Sequence, residues 1–138
     1  MTQSVRLEAV ERALERWNAG DLGGYLTLYA PTVLLHGYTP EPMNFDSTRA
    51  FYESFCAAFP TSRLEFHDVL ETDERVVIRF TVQGRHDGDF MGVSPTGREI
   101  ALPGITILRF DGPTCVERWS SADMLGLLVQ LGAVPVPA

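Results

Sequence analysis

The second half of the chain is a succession of short β-prone segments separated by tight turns, and this feature limits the possible folds more than any other. Four segments have the alternation and β-branched content of strands: residues 63–71, 75–84, 98–110 and 114–121. Turns such as Asp111–Pro113 are too short for a crossover helix. We therefore predict an antiparallel meander rather than the βαβ units of a parallel sheet.

The first half of the chain supplies helices and one more strand. Apolar spacing, capping residues and breakers predict helices at residues 5–18, 22–30, about 46–59 and 123–131, and a strand at 32–38. Residues 86–93 are predicted to form a short strand or arm. The predicted fold class is α+β: a cone-shaped, curved antiparallel sheet with helices packed on its concave face. We expect a single domain over residues 1–138, with a pocket for a small apolar or aromatic molecule between sheet and helices.

The charge of the chain argues against one class of function. All 11 basic residues are Arg, against 18 Asp and Glu, which gives a formal net charge of −7. Nucleic-acid binding requires clustered Lys and Arg to neutralise phosphates, and the sequence contains no basic run. We therefore expect no nucleic-acid partner.

Hydropathy and cysteine content predict the compartment. No run of 18 apolar residues is present, and the polar N-terminus lacks the apolar segment of a signal peptide, so we expect no membrane association. Cys56 and Cys115 form no C-x-x-C pair and are typical of free thiols in a reducing compartment. We therefore expect a cytoplasmic protein without a metal site.

A carboxylate lies where the last predicted strand meets the last predicted helix. Alternation along that strand puts one set of side chains on the same face: Cys115, Glu117, Trp119, Ser121 and Asp123. If this face lines the pocket, Trp119 shields Asp123 from water, and desolvation raises the pKa of the carboxyl towards neutrality. Asp123 would then act as a general acid and base. The alternative is that Asp123 only caps the helix that follows it.

Two histidines are the other candidate catalytic residues. His36 shares a strand face with Tyr38, where it either bonds the substrate or Asp123 or is a satisfied core histidine. His86 follows a strand end and is the second candidate.

Five residues are candidates for binding a substrate in the pocket: Tyr38, Phe55, Phe59, Glu117 and Trp119. The alternative for the aromatic residues is a purely structural place in the core. For Glu117, the choice is between a carboxylate pair with Asp123 and a structural ion pair.

Several segments resemble one known family. Residues 86–97 read HDGDFMGVSPTG and match the pattern H-x-G-x-F-x-G-x-x-P-T-G of SnoaL-like proteins. Residues 116–119 (VERW) and 123–132 (DMLGLLVQLG) are similar to the C-terminal part of the same family, and His36 and residues 58–60 also fit. The resemblance extends over nearly the whole chain, and the C-terminal segment is its most specific part.

The resemblance to SnoaL-like polyketide cyclases implies a cone-shaped α+β barrel of the nuclear transport factor 2-like superfamily, usually oligomeric. It implies ring closure of an aromatic polyketide by intramolecular aldol condensation. The residue matching Asp123 would be the general acid and base, with no metal and no cofactor. The chain departs from the family at Thr61 and Arg85, where Asp and Thr are frequent, so the resemblance implies no particular substrate.

Three functions remain open at this point. The first is the cyclase. The second is another proton-transfer enzyme, such as an isomerase, a dehydratase or an epoxide hydrolase, the last needing an inward-pointing Arg79 or Arg109 between two Asp residues. The third is a non-catalytic binder of an apolar metabolite. In each case we expect a homodimer, because one face of the sheet lacks a covering helix.

Overall fold

The computed structural model describes residues 3–136 and follows the predicted order of elements closely. The helices are α1 (Val5–Asn18), α2 (Leu22–Leu26), α3 (Phe45–Ala58) and α4 (Met124–Gln130). The strands are β1 (Tyr29–His36), β2 (Arg63–Glu71), β3 (Arg75–Arg85), β4 (Glu99–Asp111) and β5 (Thr114–Ala122). The second predicted helix is shorter than expected, because the chain already enters β1 at Tyr29. Residues 86–93 form no strand and contain only an isolated bridge between Phe90 and Val93.

The five strands form one curved, unclosed sheet with the order β1-β5-β4-β3-β2. The predicted α+β class is confirmed, and β2 to β5 form the predicted antiparallel meander. The expectation of a wholly antiparallel sheet is wrong for β1, which pairs with β5 in parallel. The long connection between His36 and Thr114 makes this possible, because a parallel neighbour needs a crossover and not a hairpin.

The helices cover one face of the sheet, which we call the inner face. Leu35, Arg118, Leu108 and Val76 lie side by side on this face in four neighbouring strands, and each is at most 7% exposed. The helices add the apolar and aromatic side chains of their buried stripes to the same core. The uncovered side is called the outer face.

A bulge in β5 reverses the predicted alternation of this strand. Phe110 pairs with Cys115 and Arg109 pairs with Glu117, so Val116 is an extra residue without a partner. Cys115 is therefore buried on the inner face, whereas Glu117 lies on the outer face. The prediction that these two side chains share a face is wrong, because alternation predicts faces only in a strand without an inserted residue.

Gly37 produces a second reversal at the end of β1. Its φ is 116°, and a Cβ atom built on it would lie 1.9 Å from the carbonyl oxygen of Ser120. The chain turns here, and Tyr38 reaches the inner side while His36, opposite Trp119, stays on the outer face. The prediction that His36 and Tyr38 share a face is wrong for this reason.

The side chain of Gln130 binds the backbone of β4 where β5 has already ended. Its amide nitrogen donates to the carbonyl of Ala101, and its amide oxygen accepts from the Ala101 N–H, both at 2.8 Å. Arg98 donates to the carbonyl of Gln130 at 3.1 Å. These bonds fix α4 against β4.

None of the helices in residues 3–136 has the length and apolar character needed to cross a lipid bilayer. The assignment of all 138 residues to a single domain stays a prediction.

We expect Gly37→Ala to destabilise the protein severely. The new Cβ would both strain a backbone conformation open to glycine and collide with a main-chain oxygen, so the free energy of unfolding should fall by at least about 2 kcal/mol. Gly112→Ala is the matched control, since Gly112 also has a positive φ but nothing lies within 4 Å of its Cβ position. Denaturant unfolding measures both, and equal losses would contradict the role assigned to the Ser120 contact.

Candidate active site

A cavity lies between the inner face of the sheet and the helices α1, α2 and α3. Its volume, measured as the space open to the centre of a water molecule, is about 60 Å³, several times the 10–15 Å³ that a single water needs. Its walls are mostly aliphatic and aromatic, and they include Ala13, Trp17, Phe55, Leu64, Phe80 and Leu102. Such a lining favours a small apolar or aromatic guest.

One end of the cavity is polar and is built around Arg118. Arg118 is 7% exposed, and among residues 3–136 every acceptor of its guanidinium is a hydroxyl group. The acceptors are the phenols of Tyr25, Tyr29 and Tyr52 and the side chains of Thr106 and Ser120. We call these six residues the arginine–tyrosine cluster.

The arginine–tyrosine cluster carries an uncompensated positive charge. Among the described residues, no carboxylate lies within 4.0 Å of the Arg118 guanidinium. Burial raises the pKa of Tyr29 well above its usual value, although Arg118 partly offsets this, and burial likewise raises the pKa of Tyr52. The phenols of Tyr29 and Tyr52 are therefore neutral at physiological pH. Burying an arginine costs on the order of several kcal/mol, which neutral hydroxyls offset only in part.

Asp123 occupies the position of the helix cap. Its side chain is exposed, and Oδ1 accepts a hydrogen bond of 2.8 Å from the backbone N–H of Gly126 at the start of α4. It is not among the residues that line the cavity. The expected shielding by Trp119 is absent, because Trp119 lies on the outer face. The role of Asp123 as a general acid and base stays a prediction.

His36, Glu117 and Trp119 form a cluster on the outer face, away from the cavity. Nε2 of His36 lies 2.7 Å from Oε2 of Glu117, and Arg109 donates to the other carboxylate oxygen at 3.0 Å. The His36 ring stacks on Trp119 with centroids 5.4 Å apart, and Arg75 lies over the indole. We call the following five residues the outer-face cluster: His36, Arg75, Arg109, Glu117 and Trp119. Of the two alternatives for Glu117, the structure shows the ion pair, formed with Arg109 beside the bond to His36, and not the carboxylate pair with Asp123.

His86 is buried beneath the loop that follows β3. It is 0% exposed, and its Nδ1 accepts a hydrogen bond from the backbone N–H of Thr96 at 3.1 Å. Nε2 has no partner among the described residues. The ring packs against Phe59, which is itself fully buried and does not reach the cavity. The structure therefore brings the three predicted catalytic residues to three different places.

Two predicted substrate-binding residues do line the cavity, namely Tyr38 and Phe55. Sequence reasoning missed Arg118, although it lies between two candidate residues, Glu117 and Trp119. Either set of alternate residues in β5 could face the helices. One of the two sets puts Arg118 and Ser120 together on the helix-covered face, and this signal could have identified Arg118. A cation on such a face is rare enough to mark a site.

In residues 3–136, no three His, Cys, Asp or Glu side chains converge so that they could hold a metal ion. The side chains available to a guest in the cavity are instead guanidinium and hydroxyl groups, which bind oxygen atoms of organic molecules.

The family model described as SnoaL-like polyketide cyclase matches residues 7–131. No curated protein matches this chain.

Solved structures with the same fold include proteins from streptomycetes. AclR, a putative hydroxylase from Streptomyces galilaeus, is 30% identical and superposes with a TM-score of 0.88 over 96% of this chain and 84% of its own. IdmH, a putative polyketide cyclase from Streptomyces antibioticus, is 27% identical with a TM-score of 0.78, covering 92% of this chain and 98% of its own. A putative polyketide cyclase from Acidithiobacillus ferrooxidans is 25% identical with a TM-score of 0.78, over 96% and 98% of the two chains.

We expect the stabilising effect of Glu117 to disappear in acid. Its hydrogen bonds, first with His36 and then with Arg109, lower the pKa of the carboxyl below its usual value. The ionised form therefore stabilises the fold above the pKa of an unfolded Glu, about 4.3, and this effect is lost as the pH falls through the lower folded pKa. Glu117→Gln should reduce the free energy of unfolding by about 1 kcal/mol at neutral pH.

The measurement is denaturant unfolding of both proteins between pH 7 and pH 3. The difference between them should shrink below about pH 4. Glu15→Gln is the control, since Glu15 is exposed and should give no comparable difference. A Glu117→Gln difference that is the same at every pH would contradict the prediction.

Proposed function

We propose that this chain, which belongs to the SnoaL-like polyketide cyclase family, binds a small apolar or aromatic carbonyl compound in its inner cavity and closes a ring in it. The reaction would be an intramolecular aldol addition. A carbon next to one carbonyl gives up a proton and bonds to the carbon of a second carbonyl, whose oxygen takes up a proton. No atom enters or leaves in this step.

The observation that carries the proposal is the cavity itself. Its apolar walls would hold a carbon skeleton folded so that the two reacting carbons meet, and holding reactants together removes a large part of a barrier. The hydroxyl and guanidinium groups at its polar end would bond the carbonyl oxygens and fix the orientation of the guest. The family match favours ring closure over other reactions of carbonyl compounds.

Asp123 is our candidate for the group that removes the proton. Among the described residues that line the cavity there is neither a carboxylate nor an imidazole, so we look for the base beyond this lining. Asp123 follows β5 directly, three positions after Ser120, which bonds Arg118. The role requires its carboxylate to leave the Gly126 N–H when a substrate is bound.

The second candidate function is that of a non-catalytic binder of an apolar metabolite. Asp123 is exposed and engaged in capping α4, which favours a binder over a catalyst. An epoxide hydrolase with an Arg between two Asp residues is not supported, because Arg79 pairs with Asp68 and Arg109 with Glu117 on the outer side of the sheet.

We also propose that the protein is a cytoplasmic homodimer that pairs through the outer face. Ile105 and Ile107 are 52% and 37% exposed on neighbouring positions of this face, and β5 adds the half-buried Trp119. A second copy would cover the same patch symmetrically. The free thiols of Cys56 and Cys115 fit a reducing compartment.

The test of ring closure uses the diketone 1-phenylhexane-1,5-dione, whose aldol product loses water to give 3-phenylcyclohex-2-enone, detected by its ultraviolet absorption. We expect the protein to accelerate this conversion. Leu64→Trp, which fills the cavity from a half-buried position on β2, should abolish the acceleration. Acceleration that survives this variant would exclude the cavity as the site. Binding of the diketone without acceleration would establish the binder instead.

Asp123→Asn separates the two roles of this residue. Asn caps helices as well as Asp does, so the variant should unfold at the same denaturant concentration as the wild type. If the carboxylate removes the proton, the rate should fall by about 10²–10⁴. An unchanged rate would remove Asp123 from the mechanism.

The dimer is tested by Ile107→Glu. We expect the wild type to sediment as a dimer and the variant as a monomer, because two carboxylates would be buried in the symmetric contact. Glu15→Arg on the far side of α1 is the control and should leave the dimer intact. A wild-type monomer at micromolar concentration would refute the proposal.

A further inference from the structure

The guanidinium of Arg118 has donors that the protein does not use. A guanidinium carries five N–H groups. Nε bonds Thr106 and Ser120, and Nη1 bonds the three phenols. Among the described residues, Nη2 takes part in no hydrogen bond, although Arg118 is more than nine-tenths buried and lines the cavity.

The unused donors coincide with the uncompensated charge. Buried arginines are normally paired with a carboxylate, because a low-dielectric interior makes a lone charge unfavourable. Here every partner among the described residues is a hydroxyl group, and the remaining walls of the cavity are mostly apolar. An anionic oxygen beside Nη2 would neutralise the charge and satisfy a free donor at the same time.

We infer that the cavity is a site for anions: its ligand is a flat apolar molecule bearing one anionic oxygen group, a carboxylate or the enolate of a 1,3-dicarbonyl, which binds Nη2 of Arg118. The apolar part lies against the aromatic walls. The hydroxyls of the cluster hold the guanidinium in place and leave one of its edges for the ligand.

The inference rests on the part of the proposed function that places the guest in the cavity, but not on ring closure. It adds the requirement that the guest is acidic. A chain that binds anions without accelerating any aldol addition would satisfy the inference and contradict the proposed reaction. A chain that accelerates ring closure of neutral diketones without preferring anions would support the proposed reaction and contradict the inference.

The test compares anions with neutral molecules of the same shape by isothermal titration calorimetry. For the carboxylate, the probes are 2-naphthoate and 2-naphthamide. For the enolate, they are indane-1,3-dione at a pH where it is ionised and 2,2-dimethylindane-1,3-dione. We expect at least one anion to bind about tenfold or more tightly than its neutral partner, and the successful pair identifies the group. Equal affinities within both pairs would overturn the inference.

Variants locate the preference. Arg118→Met should lower the affinity for the preferred anion about tenfold and leave that for the neutral probe nearly unchanged. Arg79→Met removes the same charge from an exposed outer position and should change neither. If Arg118→Met does not fold, Leu64→Trp decides, since an anion preference that persists with the cavity filled would place binding elsewhere and refute the inference.

Discussion

The burial of the Arg118 guanidinium among neutral hydroxyl groups determines how the inner side of this protein is assembled. Its acceptors come from α2, β1, α3 and β4 as well as from its own strand β5, so one side chain bonds four other elements of the fold. Each element must be in place for the charge to be solvated by dipoles. The same residues make one end of the cavity polar, while its other walls are mostly apolar. Folding and the proposed ligand recognition therefore depend on the same cation.

Two backbone irregularities decide what each face of the sheet presents. The extra residue at Val116 turns Glu117 outwards and leaves Cys115 inside, and the positive φ of Gly37 separates His36 from Tyr38. Glu117 and His36 thereby meet on the outer face, where they pair with each other. The inner face receives the arginine and the hydroxyls, and these favour binding of oxygen atoms over removal of protons.

The fold could be predicted from the sequence because its signals are local. Helix stripes, tight turns and alternating strands gave nearly all element bounds, and the C-terminal motif gave the family. The site could not be predicted as well. A bulge inserts a residue without a compositional mark, and one inserted residue moves each later side chain to the opposite face. The plain alternation of β5 therefore predicts Trp119, and not Arg118, on the side of the cavity. The sequence predicts that Asp123 can cap a helix, but its exposure to solvent depends on how that helix packs in the folded protein.

The amide of Gln130 has a consequence for how the molecule behaves towards its neighbours. By bonding both backbone groups of Ala101, it occupies the stretch of β4 that β5 leaves bare, as a further strand would. Bare strand backbone invites pairing with another chain and is a route to aggregation. A single glutamine at the last position of α4 thus satisfies this exposed backbone with two hydrogen bonds. Loss of α4 would expose apolar surface and also the unpaired backbone groups of Ala101, with which a strand of another chain could pair.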